Sequence, residues 1–260
     1  MICKNCHTTL NEQDEYCRNC GAKIIRKRLS FKNLFEHLSE TFFNYDNKLL
    51  RTFIQLFKAP EDVIVGYING VRKKYINPIS FFGLSLTLSG LSIFIIKKFY
   101  IQYLDFSGIF EGMQASQNIA QATSGSALEY NSLIYSGFVP LFALISWVVF
   151  LEKKYNFTEH IIIYLYSMSL MSVIMVFAAQ AVLIIAPNTY LLFSILSWPL
   201  MFLYHCHILR RIFKLSFATL LLKSLIFFAI FFIAYIVISI LLFIVMVVTG
   251  VVNLSDFVPK

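Results

Sequence analysis

Charged residues are scarce in this chain. Asp, Glu, Lys and Arg make up 14% of its 260 residues, whereas soluble domains carry about 25%. Apolar residues reach 58%, so lipid must replace water over much of the surface. No Asp, Glu, Lys or Arg falls at mid-depth in any long apolar run. Ion-coupled carriers and intramembrane hydrolases usually need such buried charges, and their absence argues against both classes.

Cysteine is equally sparse outside one short segment. Four of the five cysteines lie in the first twenty residues, and Cys206 stands alone. A secreted disulfide framework would place cysteines in the outer loops, so this usage predicts a reducing compartment. No apolar run precedes Cys3, so we expect no signal peptide. The chain also contains no Gly-rich phosphate loop, G-x-S-x-G or H-E-x-x-H motif.

The clustered cysteines form two C-x-x-C pairs, Cys3 with Cys6 and Cys17 with Cys20. Two such pairs supply the four thiolates of a tetrahedral zinc site. Residues 1–24 are therefore predicted to be a zinc ribbon with one structural Zn²⁺ per chain, because so short a segment needs a metal to fold. Four protein ligands leave no open position for a catalytic water. A redox pair or an iron–sulfur site is the alternative.

Residues 25–76 connect the ribbon to the first long apolar run and carry helical periodicity. Apolar residues recur at helical spacing near 34–42 and again within 46–58. Pro60, followed by two acidic residues, begins a third segment that ends at Gly70. The three segments are too short and too charged to span a bilayer, so we expect amphipathic helices at the cytosolic interface. A helical hairpin packed on the membrane bundle is the alternative.

A set of residues between 60 and 78 carries a resemblance. They are Pro60, Val63, Tyr67, Gly70, Arg72, Tyr75 and Pro78. With the two cysteine pairs, they resemble an uncharacterised bacterial family that joins an N-terminal zinc ribbon to a multi-span domain. The resemblance covers about residues 1–80 and implies no established activity. It does imply a shared element, an interface candidate, that consists of Pro60, Tyr67, Gly70, Arg72, Tyr75 and Pro78. The architecture is also similar to that of Yip1-type five-span proteins.

The same element has a plain physical interpretation. Gly70 ends one helix, and Pro78 begins the next at its first turn. Arg72 and the two lysines that follow it suit lipid headgroups, and Tyr75 suits the aromatic belt of a membrane interface. A contact with a partner or a ligand is the alternative role.

Five runs are long and apolar enough to cross a bilayer core of about 30 Å. They are 77–96, 133–151, 161–186, 189–206 and 220–249, in a membrane domain at 77–252 whose outer loop is 97–132. Lys and Arg gather at the ends that would face the cytosol, which predicts a cytoplasmic N-terminus and an outside C-terminus. The resemblance to a bacterial family implies that the membrane is a bacterial inner membrane. The predicted fold is an all-α membrane protein: a five-helix transmembrane bundle with interfacial helices and a small N-terminal zinc ribbon.

One cluster within the runs could hold a second metal. It combines His205, Cys206 and His207 with Glu159 and His160 at a neighbouring inner end. Residues two apart on a helix point ~200° apart, so both outer histidines of the triplet could serve one ion only if the helix has ended. Interfacial imidazoles near the headgroups are the alternative.

Other unusual residues in the runs indicate structure rather than chemistry. Gln180 is the deepest amide, and we expect it to make an interhelical hydrogen bond. Pro140 and Pro199 are expected to kink their helices.

These features favour a non-enzymatic membrane protein, an accessory subunit whose ribbon and interfacial helices bind another protein. The expected partners are the bilayer, with anionic lipids at its cytosolic face, and a protein in the membrane. Nucleic acid is disfavoured despite a formal charge of +8, because the cations flank membrane spans. The alternative function is a small-solute or lipid transporter that uses a cavity between the kinked spans.

Overall fold

The computed structural model describes residues 1–22, 24, 48–100, 103 and 130–248. The chain divides into two compact units, Met1–Asn47 and Lys48–Lys260. The helix predicted near 34–42 and nearly all of the outer loop lie outside the described residues, as does the end of the fifth predicted span.

The first unit is a small module with little apolar interior. Its described residues contain no regular strand or helix, only an isolated antiparallel bridge between Ile2 and Thr9. Two cysteines and Leu10 form the buried cluster. So small a core cannot stabilise a fold by itself, which leaves the cysteine cluster as the organising feature.

The described part of the second unit is all α-helical, as predicted. Its α-helices are α1 (Lys48–Lys58), α2 (Pro60–Ile68), α3 (Pro78–Phe99), α4 (Asn131–Val149), α5 (Phe157–Ile185), α6 (Tyr190–Phe213) and α7 (Phe217–Val248). The last five of these are long and apolar enough to cross a membrane. The chain is therefore a multi-pass membrane protein.

The largest difference from the predicted spans is the end of α6. The fourth span was expected to end near residue 206, but the helix continues to Phe213 and closes at Lys214, which has a left-handed φ of 51°. Hydropathy falls at Arg210 and Arg211, whereas the backbone hydrogen bonds of the last turns continue past them. Long cationic side chains can extend from a helix end to the membrane surface. The length of the apolar run therefore underestimates the length of such a helix.

Helix α5 lies at the centre of the bundle and packs against α3, α4 and α6 as well as α1 and α2. The N-terminal half of α5 is buried on several sides, and Ile163, Tyr166 and Leu170 are almost wholly inaccessible. A helix that is apolar all round is suited to this central position.

The α3–α5 contact is a seam of small and polar side chains. Ser89 Oγ lies 3.1 Å from Ser172 Oγ, and Gln180 donates to Ser92 Oγ at 2.7 Å. Ser85 is fully buried on the same face of α3. Serines allow two helices to approach closely and to form hydrogen bonds where no water is available. The interhelical role predicted for Gln180 is confirmed.

Helix α1 has three distinct faces. Thr52 and Leu56 are buried against the bundle. Leu50, Ile54 and Phe57 form a second face and are each 41–48% exposed. The third face is polar, with Lys48, Arg51, Gln55 and Lys58. The packing of α1 on the bundle agrees with the helical-hairpin alternative, and a position at the membrane interface, which the three faces would suit, stays a prediction.

Helix α7 is peripheral, since no described side chain on it is buried. It packs against α4 and, less extensively, α6. Pro140 lies inside α4 and Pro199 inside α6; the kinks predicted there stay predictions.

Candidate metal centre and the basic end of the helix bundle

The two C-x-x-C pairs fold into matching knuckles. His7 donates its amide to the Cys3 carbonyl at 2.9 Å, and Gly21 donates to the Cys17 carbonyl at 2.8 Å. His7 and Gly21 both have positive φ, 59° and 69°, a conformation that glycine adopts at little cost. The same backbone pattern thus brings each pair of cysteines to one centre.

The four sulfur atoms lie within 4.8 Å of one another. Cys3 Sγ is 3.7 Å from Cys20 Sγ, and Cys6 Sγ is 3.5 Å from Cys17 Sγ. Thiolates at about 2.3 Å from a tetrahedral Zn²⁺ would be about 3.8 Å apart. The donor set therefore fits a four-thiolate metal ion. Among the described residues, it is also the only group of three or more potential ligands gathered closely enough to hold one.

Polar neighbours favour the thiolate form of Cys6, which a metal requires. Thr8 Oγ1 lies 3.3 Å from Cys6 Sγ and accepts a hydrogen bond from Asn19 at 3.1 Å, which leaves its own proton for the sulfur. Hydrogen bonds from the side chain and backbone of Thr8 lower the pKa of the Cys6 thiol to about 6. Lower thiol pKa values favour metal binding at neutral pH.

Besides Met1, which is 54% exposed, the outer surface of the module presents two large apolar side chains next to the cysteines. Ile2 is 62% exposed and Tyr16 is 55% exposed. Each immediately precedes the first cysteine of a knuckle, so the repeated backbone holds both residues in equivalent positions. Exposed aromatic and aliphatic side chains on a rigid support are typical of protein contacts.

In the second unit, charges gather at one end of the bundle, here called the basic end. It comprises α1, α2, the N-termini of α3, α5 and α7, the C-termini of α4 and α6, and the connections α2–α3, α4–α5 and α6–α7. Twelve of the fourteen described Lys and Arg side chains of this unit and all four described acidic ones belong to it. The other two cations, Lys97 and Lys98, end α3 at the opposite side of the bundle.

Three hydroxyl groups fasten α1 and the α2–α3 connection to the bundle. Thr52 Oγ1 accepts from the Ile76 amide at 3.1 Å, and Tyr166 donates to the Ile76 carbonyl at 2.7 Å. Tyr204 donates to the Leu56 carbonyl at 3.1 Å. The backbone groups of Leu56 and Ile76 are thus satisfied by side chains from α1, α5 and α6, as burial requires.

The predicted end of α2 at Gly70 is confirmed in detail. Gly70 has a φ of +98° and donates to the Tyr67 carbonyl at 3.1 Å, and Val71 donates to the Gly66 carbonyl at 2.9 Å. These two bonds define a Schellman termination. Next to it, the Arg72 guanidinium lies 5.6 Å from the centre of the Tyr67 ring, an attractive cation–π distance.

The remaining residues of the predicted interface element are mostly buried. Pro60 and Pro78 occupy the first turns of α2 and α3, as predicted. Tyr75 differs from its expected place in the aromatic belt, because only 4% of its surface is exposed and it joins the main core cluster. The two hydrogen bonds that hold Ile76 against the bundle explain why the preceding side chain turns inward. Gly70 and Arg72 are exposed, so Arg72 offers the one exposed side chain of the element for an external contact.

Two ion pairs tie distant helices together at the basic end. Arg211 on α6 binds both carboxylate oxygens of Glu61 on α2, and Lys223 on α7 lies 2.9 Å from a carboxylate oxygen of Glu152. Burial opposes ionisation of Glu61, but the hydrogen bond and charge of Arg211 outweigh it and lower the pKa of that carboxyl. The hydrogen bond from Lys223 likewise lowers the pKa of Glu152.

The structure does not bring together the residues that the sequence offered as a second metal site. Glu159 caps α5, where it accepts from the Asn156 amide at 2.8 Å while Asn156 accepts from the Glu159 amide. His160 contacts Ser146 inside the bundle at 3.0 Å, and His205 contacts Ser167 at 3.1 Å. The α6 helix continues past the histidines. His205 and His207 therefore point ~200° apart and cannot both bind one ion. Asn156 and Glu159 match the capping-box pattern, which the sequence already contained.

A cavity of about 460 Å³ lies beside His205 and Cys206. Side chains from α4, α5, α6 and α7 line it, and eight of the fifteen lining residues are Phe, Tyr or Trp. Its volume falls within the usual range of small-molecule sites, and a largely apolar wall is typical of them. The sequence raised a cavity between the kinked spans as part of the transporter alternative, and Pro199 does line this one, but the wall could not be predicted because it comes from four separate helices.

Comparison with known proteins adds a partial family match. A family model described as "Protein of unknown function (DUF3667)" matches residues 46–90. The matched segment comprises α1, α2 and the first half of α3, and it contains the predicted interface element but not the cysteines. No curated protein and no solved structure matches the chain. The similarity is therefore to an uncharacterised family and carries no activity.

Proposed function

We propose that this chain is a non-enzymatic accessory subunit of a bacterial cytoplasmic membrane whose zinc ribbon docks a protein partner. The observation that carries the proposal is the closed four-cysteine centre with Ile2 and Tyr16 exposed beside it. Zinc held by four thiolates leaves no position for a substrate or a catalytic water. The outer surface of the ribbon is then the part that acts.

The basic end supports a cytosolic position for this docking face. Lys and Arg are retained on the cytosolic side of membrane proteins, and anionic lipids there attract them by about 1 kcal/mol for each cation near the surface. The exposed apolar face of α1 would enter the same leaflet. With five spanning helices, this orientation gives a cytoplasmic N-terminus and an outside C-terminus.

The test is affinity purification of the tagged full chain from its native membranes after mild extraction. A single partner should co-purify at a constant ratio and be lost with Cys17→Ser, which breaks the metal centre. Tyr16→Ala should weaken retention of the partner about 30-fold, since truncating a central aromatic contact costs about 2 kcal/mol. Gln13→Ala, at an exposed polar position of the same module, is the matched control and should retain the partner.

Two results would reject the docking role. One is the absence of any partner at a constant ratio with the unaltered chain. The other is a partner whose retention is equal in the Tyr16→Ala, Cys17→Ser and Gln13→Ala variants, because that partner would bind elsewhere.

Transport of a lipid or small solute is the second candidate, and the 460 Å³ cavity favours it. A transporter must open such a cavity to both membrane surfaces in turn. Reconstituted full-length protein should then move lipid or solute across vesicles, and a bulky substitution in the cavity wall, Ser224→Trp, should stop it. Vesicles that show no protein-dependent movement would eliminate this candidate while leaving the docking role intact.

A further inference from the structure

The cavity between α4, α5, α6 and α7 is polar at one end and apolar at the other. His205 and Cys206 on α6, with Lys223 and Ser224 on α7, line the part nearest the basic end. Trp198 on the same α6 lies eight residues before Cys206, which is about 12 Å further along the helix. The aromatic part of the cavity therefore extends toward the middle of the bundle.

The depth of the cavity corresponds to one leaflet. Along α7, the lining runs from Lys223 to Phe231, again about 12 Å at 1.5 Å for each residue. Half of a bilayer core of about 30 Å is about 15 Å. A molecule that lies in this cavity with its polar end at the basic end would occupy the cytosolic leaflet and end near the bilayer centre.

The polar groups of the wall are mostly partnered with one another. Cys206 Sγ lies 3.6 Å from Ser224 Oγ, and His205 binds both Ser167 and the Met201 carbonyl. The cavity thus offers few hydrogen-bonding groups to a polar solute. Displacing water from its aromatic wall favours a hydrocarbon chain instead.

The end of the cavity lined by Lys223 keeps a positive charge. The ammonium group of Lys223 uses two of its three donors, on the Val149 carbonyl at 2.6 Å and on Glu152 at 2.9 Å. Lys153 also lies close enough to Glu152 to lower the pKa of its carboxyl. Two cations therefore face one carboxylate, which leaves a net positive charge and one free donor for an anionic headgroup.

We propose that this cavity is a binding site for one acyl chain of an anionic phospholipid from the cytosolic leaflet, with the headgroup phosphate beside Lys223 and Lys153. The apolar wall accepts the chain, the one-leaflet depth matches its length, and the charge at the Lys223 end selects the headgroup. The choice of leaflet rests on the cytosolic position proposed for the basic end, whereas the site itself does not depend on docking by the ribbon. Helix α7, with no described side chain buried, is the wall that can most easily move aside to admit the chain.

The experiment uses full-length protein reconstituted in phosphatidylcholine vesicles with a trace of photoactivatable lipid, whose reactive group is in the acyl chain. The probe is phosphatidylglycerol in one sample and phosphatidylcholine in the other. We expect the phosphatidylglycerol probe to label cavity-lining residues such as Met201 and Phe227. Labelling of these residues by the phosphatidylglycerol probe should exceed labelling by the phosphatidylcholine probe about fivefold. This is the factor in affinity that one lysine near an anionic surface contributes. At lipid-facing Leu200, the two probes should label equally.

Paired variants separate the cavity from the general lipid surface. Ser224→Trp fills the cavity and should reduce labelling of its wall about fivefold or more, whereas Leu225→Trp, on the exposed side of the same helix, should not. Lys223→Gln should abolish the preference for phosphatidylglycerol, and Lys223→Arg should keep it.

The proposal is overturned if unaltered protein shows equal labelling by the two probes at the cavity wall, a result that needs no variant to fold. It is also overturned if Ser224→Trp and Leu225→Trp give the same labelling as the unaltered chain, because the labelled lipid would then lie outside the cavity.

Discussion

Replacing Gly70 with alanine isolates the backbone strain at the end of α2. Gly70 has a φ of +98°, which L-residues rarely adopt. An added Cβ would meet no atom within 4 Å, so steric contact contributes nothing to the change. Gly83, inside α3, is the matched control, since its added Cβ would also meet no atom within 4 Å but its backbone is helical.

The two substitutions should change the free energy of unfolding in opposite directions. A left-handed conformation costs an L-residue about 1–2 kcal/mol, so Gly70→Ala destabilises by about that amount. Alanine in a helix interior gains roughly 0.5–1 kcal/mol over glycine, so Gly83→Ala stabilises. The variants should then differ by about 2 kcal/mol, or about 4–8 °C in Tm for a unit of this size.

Thermal unfolding of the purified full chain, followed by circular dichroism in one detergent, measures the difference. Hydrogen exchange should also quicken at the amides of Gly70 and Val71, which donate the two terminating bonds. Gly70→Asn should lose less stability than Gly70→Ala, because asparagine tolerates left-handed backbone. If Gly70→Ala melts at or above the temperature of Gly83→Ala, the strain argument is wrong.

The remaining predictions concern the metal, the ion pair, the buried hydroxyl and topology. Elemental analysis should find one zinc per chain, and none after Cys17→Ser; two or more would indicate a second site. Glu61→Gln should destabilise more than Asp62→Asn, its neighbour in the same first turn, because only Glu61 binds the arginine on α6. The pKa of Glu61 is lowered in the fold, so this advantage should be full above the unfolded value of about 4.3 and vanish as pH falls through the folded value; an equal difference at pH 3 and 7 would contradict it. Tyr166→Phe should lower stability by about 1–3 kcal/mol by leaving a buried carbonyl unpaired, whereas Tyr235→Phe, 58% exposed on α7, should not. Reporters fused to the two termini should report opposite sides of the membrane, and the same side would exclude an odd number of spans.

The features that could be predicted are those encoded within short segments. The four cysteines are paired at C-x-x-C spacing, and the structure brings their sulfurs within 4.8 Å. Apolar runs of about 20 residues identified the five long helices. Pro60, Gly70 and Pro78 marked helix boundaries through their own backbone limits. In each case a local property of the chain decides the outcome.

The features that could not be predicted depend on distant side chains. Glu61 and Arg211 pair across 150 residues, and no local pattern joins them. Tyr75 was expected at the interface, but the bonds from Thr52 and Tyr166 to its neighbour turn it into the core. The cavity likewise requires the relative positions of four helices. Glu159 is different, because the spacing of Asn156 and Glu159 in the sequence is already that of a capping box, and this role takes precedence over metal binding.

These distant contacts also show that the segment matched by the family model is not a complete folding unit. The matched segment, residues 46–90, contains Leu56, Val63 and Ile64, which have no accessible surface because α5 and α6 cover them. Exposing three such side chains would cost about 1.5–3 kcal/mol each, a large part of the 5–15 kcal/mol that stabilises a typical domain. The segment also relies on hydroxyl groups of α5 and α6 for its buried backbone groups. In this chain, the matched segment is therefore one part of a larger membrane fold and depends on α5 and α6 for its packing.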